Sequence, residues 1–469
     1  MVSSSSTDMN YTSLQEPGLP ENLKLLVVDI GSTSIKVGVV EPNGAHVGEV
    51  VSRPTPSTQA GVPQGRHESD AAAIVDAAIE AVREALERTP DIDAIGVSTQ
   101  MHGFVFVDDN NKPTTPFVSW QDERGYEITG GKTAADKLQA MVGPEAARRT
   151  GIPLRPGLPS TNIMAMRETG QWRGNDTLHS IGSYLVQKMT GSLAIHLTNA
   201  ASMGLVDLQS GQWDREMLSA LELSSTQLPP ILTGYKPVGV FSGPWGEIPV
   251  FPDLGDHQAS AYGLDMTPER DVLVSIGTAG LVSRLTRDRP VDDLAERRPA
   301  EDGASLLTLT RLPGGRALDV FIDFIATVGV DFFGLHATPQ VIQQRASELL
   351  NNPTSANPQV ALMDFADRRL VAQVSNIVPQ NFSAAGLFAG IRRSLSDEYA
   401  RAIFRLCSTG SVPEKIFLVG GVATAAGWIA EDLQRRFNCE VQIVGGGDIA
   451  LLGTARLISK YSSRQGKAA

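Results

Sequence analysis

The chain has 469 residues, 42% hydrophobic and 20% charged, enough for more than one core and unlike a disordered chain. Its 40 Lys and Arg against 52 Asp and Glu leave a net charge of −12 with no basic block, which argues against a nucleic-acid binder. Two cysteines, Cys407 and Cys439, exclude a disulfide framework or a cysteine zinc site, and no apolar run reaches the roughly 20 residues of a membrane span.

Residues 1–22 are polar, without the apolar core of a signal peptide, and are expected to be a disordered tail. A soluble, cytoplasmic protein with no membrane partner is the expectation; a homodimer stays open. LKLLVVDI (23–30) predicts a strand, GSTS a turn, and IKVGVV (35–40) a second strand. A further strand is placed at 47–52. Ile74, Ala78, Val82 and Leu86 repeat every fourth residue, which predicts a helix over 70–88 capped by Ser69 or Asp70. Strands follow at 94–98, 104–107 and 117–120, then a helical, loop-rich stretch over about 130–250. A second strong strand, DVLVSIG, starts at Asp271 and is followed by TAG and LVSRL. The charged segment 285–303 and NNPTSANP (351–358) read as surface loops. The end alternates: strand KIFLVGG, helix 424–437, strand EVQIVGG, helix 449–460. This alternation predicts an α/β fold.

VVDIGSTSIKVGVV and LVSIGTAGLVSRL share one pattern: apolar strand, small-residue turn, apolar strand. They fit either a duplicated domain, with a ligand between the copies, or two unrelated hairpins. A Gly-Ser-Thr-Ser tip can hold an anion on its backbone N–H groups, and Asp29 at its mouth could hold Mg²⁺ beside bound phosphates. Lys36 is a phosphate contact or a solvated strand lysine. GGKT at 130–133 has the wrong spacing from Gly125 for a P-loop. In GDHQAS (255–260), Asp256 is either a helix cap or the acceptor for a hydroxyl proton. STQMHG (98–103) and VSWQDERG (118–125) mix aromatic, amide and charged groups, as polyol recognition requires. His102 alone is as readily structural as a ligand. In FLVGGVATAAGW (417–428), Gly420 and Gly421 suit a flat base against backbone, or a tight turn.

Taken in order from about 23 to 457, these segments resemble the FGGY carbohydrate kinases of the actin–hexokinase ATPase superfamily. DIGSTSIKVGVV and VLVSIGTAGLVS are similar to the two phosphate motifs, FLVGGVATAAGW to the adenosine motif, and GDIALLGTA to the closing connector helix. The resemblance implies two ribonuclease-H-like α/β domains (23–265 and 266–460, with a tail over 461–469) around an active-site cleft, and ATP and Mg²⁺ as cofactors. It implies that Asp29 holds Mg²⁺, that Gly31, Ser32, Thr33, Ser34, Gly277 and Thr278 bind phosphate, and that Gly420 and Gly421 border adenosine. Asp256 would be the catalytic base. Gln100, Met101, His102, Trp120 and Asp122 would line a sugar pocket together with Asp256. QMHG points to the ketose-kinase branch; SWQDER, GDHQAS and TNAASMGL (198–205) are closest to sedoheptulokinases, with xylulokinase as the alternative and a catalytically silent sugar or nucleotide sensor behind it. RLPGGRALDV (311–320) departs from the Asn-Gly-Gly usual there.

Overall fold

Leu25, Leu26, Val27, Val28 and Ile30 are all buried, the mark of a strand covered on both faces. In the computed structural model this strand centres the first of two six-stranded sheets. The described residues are 23–465, except 47, 58–60, 173, 175, 288–293, 350–357, 363–372, 408–411, 426 and 446–447. The expected tail over 1–22 lies outside them, as does most of the 351–358 loop.

The first sheet contains β1 (Leu25–Ile30), β2 (Ser34–Val40), β3 (Val51–Pro54), β4 (Ala94–Thr99), β5 (Gly239–Gly243) and β6 (Gly246–Gly255), in the order β5-β6-β4-β1-β2-β3. The third strand starts at Val51, later than the expected 47–52. α1 (Ala71–Arg88) is capped by the Asp70 carboxylate, which accepts from the Ala73 N–H. It packs with α2 (Ile181–Thr190) on one face of the sheet. The helical stretch expected over 130–250 supplies α2 and an accessory layer around Phe104, Phe106, Trp172 and Met217. GGKT forms an exposed two-strand turn, Ile128–Thr129 against Lys132–Thr133, with no P-loop geometry.

The second sheet repeats the pattern. β7 (Asp271–Ile276) and β8 (Gly280–Thr286) form a hairpin, followed by β9 (Glu296–Pro299), β10 (Ser305–Leu312), β11 (Lys415–Val419) and β12 (Glu440–Val444), in the order β9-β10-β8-β7-β11-β12. β1 pairs antiparallel with β2 and parallel with β4; β7 does the same with β8 and β11. Asp29 sits opposite Lys36 and Ser98, and its counterpart Ser275 opposite Leu281 and Val419. Duplication, rather than two unrelated hairpins, accounts for this shared register.

The domains meet through helices. α3 (Asp256–Gly263) leaves β6 and lies between the sheets: Ala259 joins the first domain's second apolar layer and Ala261 the second domain's. α4 (Gly315–Phe333), α5 (Ala384–Leu406) and α6 (Gly427–Phe437) belong to the second domain. The stretch expected as a helix over 424–437 is helical over Gly421–Ala425 and α6, on either side of residue 426, which lies outside the described residues. The last helix, α7 (Ile449–Gln465), runs past residue 460, so the expected tail from 461 begins inside it. It also crosses back: Leu451, Ala455 and Ile458 cover Leu25, Val27 and Ala94 of the first sheet. The boundary at 265/266 therefore divides the sheets but not the packing.

The segment 285–303 corrects the reading of a solvated loop. It contains β9, whose Glu296 and Arg298 are 2% and 5% exposed. Their charges are buried because they meet each other and partners from the first domain.

Candidate active site

Asp29 is the last polar residue of β1 before the Gly31–Ser34 tip. Ser98, its neighbour on β4, donates a hydrogen bond to it at 2.8 Å. Burial pushes the Asp29 carboxyl up to about 6; the Ser98 hydrogen bond and the Lys36 charge pull it down, and Asp448 adds repulsion. Asp448 follows β12 of the second domain and lies 3.7 Å from Lys36 Nζ, so both domains contribute charge here. The tip is tight: Gly31 N–H donates to Ser34 O at 3.0 Å and the Thr55 hydroxyl to Gly31 O at 2.8 Å. Ser32 and Thr33 are exposed at its end.

Asp256 opens α3 at the carboxyl end of β6. Gly255 before it donates its N–H to Thr198 Oγ1 at 3.0 Å, and a Cβ there would stand 2.9 Å from Met101 Sδ. A side chain there would have to displace Met101 and the Gln258 amide, whose Oε1 would stand 2.6 Å away. Burial pushes the Asp256 carboxyl up to about 7, and the charge of Asp29 adds to the rise while Arg298 opposes it. The structure thus brings Asp29 and Asp256 into one electrostatic field. A carboxyl near 7 is matched to accepting a proton at neutral pH.

Sequence reasoning missed the support beneath them. Asp253 is fully buried; it accepts from Ser180 Oγ at 2.6 Å, Asn199 Nδ2 at 2.8 Å and His196 N–H at 2.9 Å. Thr198, Asn199 and Ser202 of TNAASMGL brace Gly255, Asp253 and His102 respectively. The run of small polar residues was the available signal.

On the sugar side, Gln100 donates its backbone N–H to Ile30 O at 2.8 Å, and its Oε1 is buried with no partner among the described residues. Leaving such an acceptor unpaired costs about 1–3 kcal/mol, which a ligand hydroxyl would recover. Met101 is buried against Gly255. His102 is left-handed (φ 59°), held by Ser202 through its N–H at 3.1 Å and its Nδ1 at 2.7 Å. Trp120 is half-buried. Asp122 departs from the sugar-ligand expectation: it is fully buried, and its oxygens accept from Arg124 Nε at 2.7 Å, Arg124 Nη2 at 2.8 Å and His67 N–H at 2.8 Å. It anchors its segment to Arg124, a residue whose direction no sequence pattern shows.

Around the β7–β8 tip, where the sequence leads one to expect the nucleotide, three glycine segments converge. Gly277 N–H donates to Ala279 O at 3.1 Å, closing the β7–β8 tip, where Thr278 is exposed. Gly315 N–H donates to Gly277 O at 2.8 Å and Arg316 N–H to Thr278 O at 3.1 Å. A Cβ on Gly314 would stand 2.6 Å from Gly277 O. Gly420 has φ +103°, and a Cβ there would stand 2.5 Å from Ile276 O, whereas Gly421 faces open space. Gly314 and Gly315, read in the sequence only as a departure from Asn-Gly-Gly, pack directly against the β7–β8 tip. The side-chain-free backbone so assembled suits close approach of phosphate and a flat base.

Known proteins share this fold. The chain is 26% identical over 464 residues to the xylulose kinase of Escherichia coli strain K12, covering 92% of this chain and 88% of that one. It is 28% identical over 275 residues to the apulose kinase of Pectobacterium atrosepticum, covering 54% of this chain and 53% of the relative. Among solved structures, a gluconate kinase from Lactobacillus acidophilus superposes with a TM-score of 0.80 at 19% identity over 94% of this chain and 89% of that one. The ligand-bound xylulose kinase from the same organism gives 0.79 at 19%, over 94% and 90%. These two show the fold, the two-domain actin–hexokinase-like α/β architecture. Residues 24–263, just over half of the chain, match the FGGY family of carbohydrate kinases, N-terminal domain. With the duplicated hairpins, the paired carboxylates and this match in agreement, the chain belongs to the FGGY family of carbohydrate kinases and is an ATP-dependent sugar kinase.

Proposed function

We propose that this kinase phosphorylates a free ketose, sedoheptulose to its 7-phosphate first, with Asp256 as the base. The observation that carries the chemistry is the pair Asp29 and Asp256, both pushed up by burial in one field. Asp256 accepts the proton of the attacking hydroxyl; Gln100 Oε1 is free to accept from another hydroxyl and orient the sugar. The glycines at 277, 314, 315 and 420 let the phosphates and base lie on backbone.

Mg²⁺ fits the donor set. Two desolvated carboxylates offer hard oxygen ligands and unmet negative charge, with Asp29 the holder and Asp256 nearby. Among the described residues no cluster of three or more His, Cys, Asp or Glu is placed to hold an ion, so phosphate and water complete the shell. When bound, the ion supplies charge neutralisation to the transferring phosphoryl. Among the described residues no helix is long and apolar enough to cross a membrane.

SWQDER, GDHQAS and TNAASMGL favour a seven-carbon ketose; the near full-length similarity to a xylulose kinase favours D-xylulose as the second reading. ADP release with Mg²⁺ and ATP, across sedoheptulose, D-xylulose, D- and L-ribulose, fructose, gluconate and glycerol, tests both. Highest kcat/KM on sedoheptulose is expected. Highest kcat/KM on D-xylulose replaces the first reading by the second. Turnover of neither, with ATP bound, removes the ketose assignment in favour of another sugar or a silent sensor.

A further inference from the structure

β9 is an edge strand of the second sheet, yet it is tied to the first domain. Arg297 N–H donates to Gly151 O at 2.7 Å, Gln258 Nε2 to Pro299 O at 2.9 Å, and Glu301 N–H to Tyr262 Oη at 2.6 Å. Between these ties Arg298 extends into the cleft wall. Its Nε and Nη2 donate to Glu296 Oε2 at 3.0 and 2.6 Å. Its Nη1 meets His257 Nδ1 at 2.8 Å and its Nη2 meets His102 Nε2 at 3.1 Å. Glu296 is clamped from the other side by Arg155, Nη2 to Oε1 at 2.7 Å, and by the Thr310 hydroxyl at 3.3 Å.

A guanidinium donates only and cannot accept. Each histidine nitrogen that faces Arg298 must therefore carry its lone pair. His102 then holds its proton on Nδ1 and donates to Ser202 O; His257 holds its proton on Nε2 and donates to Ser283 Oγ at 3.0 Å. Ser283 passes the chain to Thr308 Oγ1 at 2.9 Å. Both rings are held neutral by burial, with the Arg298 charge next; His102 is lowered to about 3. His257 is the residue after Asp256. His102 follows Met101, which packs on Gly255. One guanidinium from the second domain thus fixes the ring on each side of the base.

We propose that Arg298 is a positioning residue of the sugar site, fixing the tautomer of His257 and holding the ring of His102 in place, so that the sugar wall is complete only when the two domains are docked. The proposal rests on the sugar-pocket reading of the QMHG segment. It also revises one role. Both His102 nitrogens are engaged, so His102 shapes the wall and does not donate to a sugar hydroxyl.

The test is ring ¹⁵N NMR of histidine-labelled full-length protein without sugar, together with steady-state kinetics on whichever sugar is turned over. In the unmodified protein each ring should show one neutral tautomer, Nδ1–H for His102 and Nε2–H for His257. In Arg298→Met, His257 should become a tautomer mixture, because the Ser283 hydroxyl can donate or accept, while His102 keeps Nδ1–H against Ser202 O; sugar KM should rise about tenfold, as expected for lost oriented hydrogen bonds, with ATP KM within about twofold. Arg298→Lys keeps the charge but not the planar fork, and should restore part of the sugar KM without fully restoring the single His257 tautomer. If the methionine variant does not fold, the lysine variant decides, by a sugar KM several-fold above normal. An unchanged His257 tautomer in folded Arg298→Met, or a sugar KM that stays normal in the folded variants, overturns the proposal. The ring signals need no substrate, so they stand whichever sugar the kinase prefers.

Discussion

Asp256→Asn is expected to lower kcat by about 10²–10⁴-fold while ATP still binds, the range for loss of a positioned general base. The amide fills the same space at the start of α3 but accepts a proton far more weakly. The same variant should be more stable than the unmodified protein at pH 8. The Asp256 carboxyl is raised to about 7 by burial and by the Asp29 charge, so its ionised form is disfavoured in the folded state. For a raised carboxyl, the folded chain binds the extra proton below 7 and loses that advantage as pH rises through 7. The melting temperature of the variant should therefore exceed that of the unmodified kinase at pH 8, the gap closing as pH falls toward 4. Normal turnover would remove Asp256 as the base. A Tm gap that is unchanged between the two pH values would remove the account of its burial.

Gly453→Ala is the second large effect. Gly453 lies on α7 where it crosses α3; a Cβ there would overlap the Ala259 carbonyl oxygen, and one on Gly263 of α3 would overlap Ile449 O. The neighbour in each case is backbone, so no rotamer change relieves the overlap. The helices must part, at about 1–3 kcal/mol for overpacking. Asp256 is the first residue of the helix that moves. A shift near 1 Å at a reacting group costs about 10²-fold in rate, so kcat should fall that far while thermal stability drops modestly. Circular dichroism melts beside ADP-release kinetics check both. Normal kcat in the alanine variant would mean that α3 is held by other contacts.

Much of the fold was legible because it is carried by unmixed apolar strands. Val27 and Val28 in the first sheet, and Leu273 and Val274 in the second, are buried on opposite sheet faces, and such runs allow few other readings. The small-residue tips after them were legible as turns because each stands between two apolar runs, and the structure closes both as hairpins. What stayed hidden was pairing at a distance. Glu296 and Arg298 read as solvated because charge in a Pro-containing segment usually is; their partners, Arg155, His102 and His257, lie far away in the chain. Asp122 read as a sugar ligand because local composition cannot show that the arginine two residues on turns back to occupy it. Gly453 stood in a recognised segment, but its reason, the backbone of Ala259, is a property of the assembled helices.

The crossing of α7 back to the first domain also bears on biosynthesis. Leu25, Val27 and Ala94 lie on the face that Leu451, Ala455 and Ile458 cover. A ribosome making about 5–20 residues per second needs roughly 10–40 s between completing α3 and releasing α7. Through that interval the nascent first domain has its strands but lacks one of its walls. Its apolar face is open to chaperones or to another nascent chain, and the final helix acts as the closing stroke of a domain begun hundreds of residues earlier. A fragment ending near residue 265 would remain in that unfinished state, so the two halves of this kinase are separable on paper but not as independently folding units.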